Sequence, residues 1–120
     1  MSKRILVVDD DAMCLRMCEL VLNKDYEVIK ADSGEACLTL LEKETFELVL
    51  LDVEMPGFDG FETLEALRKT ERGPFIKVAF LSADEDDDAR ERAKSLGAVG
   101  FVKKPFLPED LKKFVAAQTS

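Results

Sequence analysis

The stretch Leu48-Val49-Leu50-Leu51-Asp52 decides how this chain folds. Four apolar residues in a row, of strand length and with no polar position to face water, suit a strand covered on both sides, as in a parallel sheet. Ile5–Val8 and Val78–Leu81 read the same way, and Tyr26–Lys30 and Val99–Val102 are shorter, more mixed versions. Five strands are expected from these five runs.

The segments between the runs carry helical periodicity. In the first, Cys14, Met17, Cys18 and Val21 fall at i, i+3, i+4 and i+7, with Arg16 and Glu19 off that stripe. The second opens at Ser33, a good N-cap, and places Ala36, Leu40 and Leu41 on one face. The third follows the loop Met55–Gly60, carries Phe61, Leu64, Ala66 and Leu67, and ends before Gly73-Pro74. The fourth is expected over Asp84–Leu96, closed at Gly97 as a C-cap. The fifth starts near Pro108, well placed in a first turn, and runs to about Ala117.

Strand and helix thus alternate five times. Right-handed crossovers between parallel strands then require an open sheet with helices on both faces. Ligands of such sheets bind beyond the carboxyl ends of the strands. Asp9, Asp10, Asp52, Ser82 and Lys104 all fall at those ends. Carboxylates in this position hold a divalent cation, and a lysine beside them offsets the charge of an incoming phosphoryl group.

Composition narrows the function classes. The 120 residues fit one domain, 1–120, and at 47% apolar and 35% charged the chain is ordinary globular material. No apolar run approaches the roughly 20 residues of a membrane span, and the N-terminal MSKRILVVDD lacks the features of a secretory signal. The expectation is a cytoplasmic protein with no membrane partner. Residues 1–60 carry 6 Lys/Arg against 14 Asp/Glu and residues 61–120 carry 11 against 11, so the net charge of −8 sits in the first half. That argues against direct nucleic-acid binding and for a basic partner or a bound cation. With 3 cysteines and no histidine, free thiols are expected instead of disulfides. Cys14 and Cys18 are expected in the core, since no histidine completes a zinc site. His-based triads are excluded, as is any role as a phosphohistidine donor.

Four strings, VVDDD, LLDVEMPGFDG, AFLSA and GFVKKPF, stand in an order and spacing that resemble the receiver domain of two-component response regulators over about Lys3–Phe114. The resemblance implies a flavodoxin-like three-layer α/β sandwich: a five-stranded parallel sheet, order 2-1-3-4-5, with five helices on two faces. It also implies a phosphorylation-dependent signalling switch and not a turnover enzyme. Asp52 is then the nucleophile that takes a phosphoryl group from the phosphohistidine of a sensor histidine kinase or phosphotransfer protein. Mg²⁺ is the implied cofactor, bound by Asp10 and Asp52 directly, by Asp9 through water, and by the backbone carbonyl of Glu54. Three crowded carboxylates need such a cation, because each like-charge pair at ~4 Å costs about 4 kcal/mol at an effective dielectric of ~20.

Further roles follow from the same resemblance. Lys104 pairs with the phosphoacceptor and then with the phosphoryl group, aimed inward by a cis bond to Pro105; strand alternation points Lys103 to the opposite face. Ser82 donates to the phosphoryl group, Ala83 leaves it room, and Phe101 rotates into the space the hydroxyl vacates. Asp11 caps the first helix. Glu54 and Asp84 depart from the family pattern, and their added charge is read, from the residues and not from the resemblance, as modulating the aspartyl-phosphate lifetime, although the acidic run Asp84–Asp88 more simply suits a helix start. Output is expected through the face of helix 4, strand 5 and helix 5, where Arg90, Lys94, Phe101, Lys103, Lys112 and Lys113 lie. The partner there is a downstream output protein, and the chain is a monomer or a phosphorylation-dependent dimer.

Three other readings compete. A haloacid-dehalogenase-like phosphatase would use Asp9 and Asp11 as its D-x-D pair, but Ala12-Met13 continues that motif poorly and Asp52 would have no covalent role. A flavin module would want a Ser/Thr/Gly-rich phosphate loop after strand 1, where this chain has three aspartates. A pseudo-receiver would dock partners without phosphorylation.

Overall fold

The computed structural model describes residues 3–83 and 87–120. Five strands form one parallel sheet: β1 (Lys3–Val8), β2 (Tyr26–Ala31), β3 (Leu48–Asp52), β4 (Val78–Ser82) and β5 (Gly100–Lys103), in the order β2-β1-β3-β4-β5. The five expected strands and their order are borne out. The strands read as unbroken apolar runs are the three central ones, and every residue of β3 and β4 is buried. Parallel strands between two helical layers have no wet face, so nothing polar interrupts them.

Side-chain alternation divides the core in two. Ile5, Val7, Leu48, Leu50, Ala79, Leu81 and Val102 face a layer made by α1 (Ala12–Leu22) and α5 (Pro108–Thr119). Leu6, Val8, Val49, Leu51, Val78 and Phe80 face α2 (Gly34–Lys43), α3 (Gly60–Arg68) and α4 (Asp87–Ser95). Extending each apolar series by one step, to the last residue of β3 and just past β1 and β5, predicts the site. Asp9 follows Ile5 and Val7, Asp52 follows Leu48 and Leu50, and Lys104 follows Val102, all on the α1/α5 side. Lys103 falls in the other series and is exposed.

Local signals set the helix ends. Asp11 accepts from the backbone N–H of Met13, and Ser33 from that of Ala36. Asp59 and Glu62 form a reciprocal capping box at the start of α3. Gly97, at φ 78°, closes α4 in a conformation that a side chain disfavours. Between α3 and β4 lies a short 3₁₀ turn, Gly73–Phe75, at the Gly-Pro stop. The fifth helix runs to Thr119, two residues beyond the sequence expectation. The start expected for the fourth helix, Asp84–Asp86, lies outside the described residues.

The stripe expected for the first helix needs correction. Cys18, Val21 and Leu22 are buried, but Met17 is 48% exposed. The helix turns its buried face toward positions 18, 21 and 22, which carries Met17 to the margin beside Met13 and Leu20. All three cysteines are free, as expected; Cys18 and Cys37 are buried, whereas Cys14 is only half-buried. Cys14 packs against the edge of the α1/α5-side core, as expected, but its partial exposure leaves the thiol beside the site.

Candidate functional site

The backbone ladders run one residue past the strands. Asp9 N–H donates to Ala31 O at 3.1 Å, Val53 N–H to Leu81 O at 3.1 Å and Lys104 N–H to Ser82 O at 2.7 Å. These bonds fix the acids and the lysine on one rim. Carboxylate oxygens of Asp9, Asp10 and Asp52 lie within 4.8 Å of one another. Asp9 and Asp52 are buried and Asp10 is exposed. Lys104 Nζ donates to Asp9 Oδ2 at 2.6 Å and to Asp52 Oδ1 at 3.1 Å. The Lys104–Pro105 peptide is cis, as expected.

Gly60 supports Asp52 from below. Its N–H donates to Val53 O at 2.9 Å, and a Cβ there would stand 2.2 Å from the backbone oxygen of Asp52. Only glycine lets α3 start so close to the main chain of Asp52.

The electrostatics separate the two buried acids. Burial pushes the Asp52 carboxyl up to about 6, helped by the Asp9 charge and opposed by Lys104. Burial acts upward on Asp9 too, but hydrogen bonds from the Cys14 thiol, the Lys104 ammonium and the Asp11 backbone N–H outweigh it and hold Asp9 below the usual range. Lys104 is raised: burial opposes its charge, while the hydrogen bond to Asp9 and the field of Asp52 more than compensate. The Cys14 thiol is held protonated by its hydrogen bond with Cys18, by burial and by Asp9. Cys14 is thus a neutral donor to the buried Asp9 carboxylate. Its spacing with Cys18 pointed to the core and hid that role; its place in the first turn after the acids was the usable signal.

A stability effect follows from Asp52. Its folded-state pKa is about 6, against ~3.9 in an unfolded chain. The folded state binds the proton more tightly, so ionising Asp52 opposes folding above pH ~6, and the penalty is relieved as pH falls toward ~4. Asp52→Asn is expected to raise stability by about 2 kcal/mol near neutral pH in metal-free buffer, with no gain near pH 4. Urea melts at the two pH values check this; an equal gain at both would contradict it.

The remaining predicted residues divide. Ser82 is buried at the end of β4, paired in register with Lys103, and Ala83 is exposed beside it. Phe101 is half-buried on β5, its ring 6.5 Å from that of Phe80 on the α4 side of the sheet. Glu54 is exposed in the loop after β3, and Asp84 lies outside the described residues. Arg90, Lys94, Lys103, Lys112 and Lys113 are all exposed.

The chemistry of the donor set fits a hard divalent cation: two buried carboxylates and one open to water, all oxygen ligands. A model for the response regulator receiver domain matches residues 5–116. The chain belongs to that family.

This receiver domain is 40% identical over 112 residues to a probable transcriptional regulator, ycf27 of Cyanophora paradoxa, covering 92% of this chain and 46% of that protein. It spans about half the length of the curated relatives it matches. Among solved structures it superposes on the chemotaxis protein CheY4 of Vibrio cholerae with a TM-score of 0.92 at 30% identity, covering 98% of each chain. It superposes on the BeF3-activated receiver domain of DrrB with a TM-score of 0.87 at 32% identity, covering 98% of this chain and 97% of that one. Receiver domains are two-component signalling modules and bind Mg²⁺ through an acidic pocket; Asp9, Asp10 and Asp52 form such a pocket here. Among the described residues no helix is long and apolar enough to cross a membrane.

Proposed function

We propose that this receiver domain is a phosphorylation-driven switch in which Asp52 is the phosphoacceptor. The observation that carries the reading is the rim itself: three carboxylates within 4.8 Å, with Lys104 between the two buried ones. An Asp52 oxygen attacks phosphorus, the P–N bond of a partner's phosphohistidine breaks, and the imidazole leaves with its electron pair and takes up a proton. Asp10 and Asp52 would hold Mg²⁺ directly, Asp9 would act through water, and the Glu54 carbonyl would be a further ligand. Bound Mg²⁺ supplies charge neutralisation at the phosphoryl oxygens.

Lys104 moves from the free carboxylate to the new phosphoryl group while keeping its contact with Asp9. Ser82 donates its hydroxyl to a phosphoryl oxygen, and Ala83 keeps the entrance clear. Phe101 then turns toward the space that the hydroxyl leaves, which alters the face of α4, β5 and α5 for a downstream output protein. The chain catalyses its own phosphorylation and dephosphorylation without acting as a turnover enzyme. With a net charge of −8, these residues make no direct nucleic-acid contact, and the domain works in the cytoplasm as a monomer or a phosphorylation-dependent dimer.

The test is incubation with Mg²⁺ and acetyl phosphate, read by intact mass. One phosphoryl group is gained by the wild type and none when Mg²⁺ is chelated. No gain with any donor would leave a phosphorylation-independent docking module as the better reading. After donor removal, Glu54→Asn and Asp84→Ala proteins should lose the group at rates several-fold different from wild type, because these acids follow Asp52 and Ser82 by two residues in the sequence and are read as shifting the attacking water. Unchanged decay in both would remove them from that role.

A further inference from the structure

Helix α4 is fastened in an unusual way. Its sequence, DDARERAKS, buries only Ala93 among the described residues. Beside it only Ala89 and, just past the helix, Leu96 pack partly against the core, so apolar burial at ~25 cal/mol per Å² gives a nine-residue helix a thin attachment. Two arginines add to it. Arg92 lies over the ring of Phe61 on α3, 4.6 Å from its centroid, and pairs with Glu65 at 2.9 Å. Arg90 lies over the ring of Phe101 on β5, 5.0 Å from its centroid.

The two rings are not independent. Phe61 and Phe80 meet with ring centroids 5.0 Å apart and planes tilted by 58°, and Phe80 and Phe101 at 6.5 Å and 53°. Three rings from α3, β4 and β5 therefore form one row, capped at both ends by guanidinium groups two residues apart on α4. The caps differ in what they hold. Phe61 is buried, and its arginine has an ion pair besides, so that end is an anchor. Phe101 is half-buried on the edge strand of the sheet, so that end holds the one ring of the row with freedom to turn.

We propose that Arg90 is a positioning residue for Phe101, holding the ring where the unphosphorylated protein has it and thereby setting the threshold of the switch. The inference rests on the phosphorylation reading above and adds a residue that the reading does not require. A guanidinium over an aromatic face is attracted only while the face is presented, so the contact belongs to one ring orientation. Any ligand at Asp52 that favours the other orientation must break it. By linkage, removing the contact tightens binding of that ligand by the same factor. At an exposed site the contact is worth roughly a two- to five-fold change in affinity.

The experiment uses the 120-residue chain carrying 4-fluorophenylalanine, with Mg²⁺ and beryllofluoride as the phosphoryl mimic. Fluorine NMR follows the Phe101 resonance, assigned by its loss in Phe101→Leu. In wild type it should move on saturation. In Arg90→Gln it should already be displaced toward the saturated position before beryllofluoride is added, and the midpoint should fall two- to five-fold. Arg92→Gln should lower thermal stability and leave the midpoint unchanged. Arg90→Lys, which keeps the charge and loses the planar face, should fall between wild type and Arg90→Gln and serves if the glutamine variant does not fold.

Equal midpoints in wild type and Arg90→Gln would overturn the proposal, as would a tighter midpoint with no displaced resonance. An equal shift in Arg92→Gln would also overturn it, because general loosening of α4 would then be the cause. A wild-type Phe101 resonance that ignores beryllofluoride would instead overturn the switch reading on which the proposal stands.

Discussion

Lys104→Met is expected to lower the stability of the metal-free domain by about 3 kcal/mol near neutral pH. The lysine side chain is 21% exposed, against 1% for Asp9 and 5% for Asp52, so it is the cation that two desolvated carboxylates share. Methionine fills similar volume and removes the charge. An uncompensated buried charge costs about 3–5 kcal/mol, and the lower end applies because Asp52, already raised, escapes by taking up a proton. In urea the midpoint should drop with the slope unchanged. Asp52→Asn in the Lys104→Met background should restore part of the loss, since the like charge beside Asp9 is gone while Asp9 itself stays buried without its lysine. Millimolar Mg²⁺ should do the same. A Lys104→Met protein as stable as wild type in metal-free buffer would mean that the rim is far wetter than its burial indicates.

The second large effect lies at the other end of the molecule. Arg68, in the last turn of α3, donates to four backbone carbonyls: Leu96 O at 2.9 Å, Gly97 O at 3.1 Å, Gly73 O at 2.6 Å and Ile76 O at 2.8 Å. Those carbonyls belong to the turn after α4 and to the 3₁₀ segment, so one side chain closes the loops that lead into β4 and β5. Burial holds its guanidinium below the ordinary value, although it remains charged. Hydrogen bonds from a charged donor contribute about 1.5–3 kcal/mol each and do not add fully. Arg68→Ala is therefore expected to cost about 3 kcal/mol, or roughly a 10 °C lower melting temperature. Arg68→Lys, with one point donor in place of a planar fork, should recover little of it. Phosphorylation by acetyl phosphate should keep its wild-type rate well below the melting temperature, because these loops enter the strands at their amino ends, away from the acids.

What the sequence made legible follows from how local each signal is. The three buried strands were readable because a strand wet on neither face cannot carry a polar residue. The rim was readable because alternation continues past the strand end, which separates Lys104 from Lys103. The caps at Asp11, Ser33 and Gly97 are local signals and matched. The Asp59–Glu62 capping box is equally local, with Asp59 next to last in the string LLDVEMPGFDG and Glu62 two residues beyond its end. Met17 failed because two stripes on one helix, 14-17-18-21 and 18-21-22, share members, and only packing against the sheet chooses between them. Arg68 and the Phe61–Phe80–Phe101 row were not legible at all. Each depends on residues from three or more elements meeting in space, and nothing in the spacing of a lone arginine or of scattered phenylalanines announces it.

The central claim is that Asp52 becomes an acyl phosphate, and trapping that bond tests it most directly. The domain is treated with Mg²⁺ and acetyl phosphate, reduced at once with borohydride, which converts an aspartyl phosphate to homoserine, and mapped by peptide mass spectrometry. Homoserine at position 52, absent without donor and without Mg²⁺, is the expected result. Homoserine at another acidic residue, or phosphoryl uptake that survives Asp52→Asn at the wild-type level, would contradict the account.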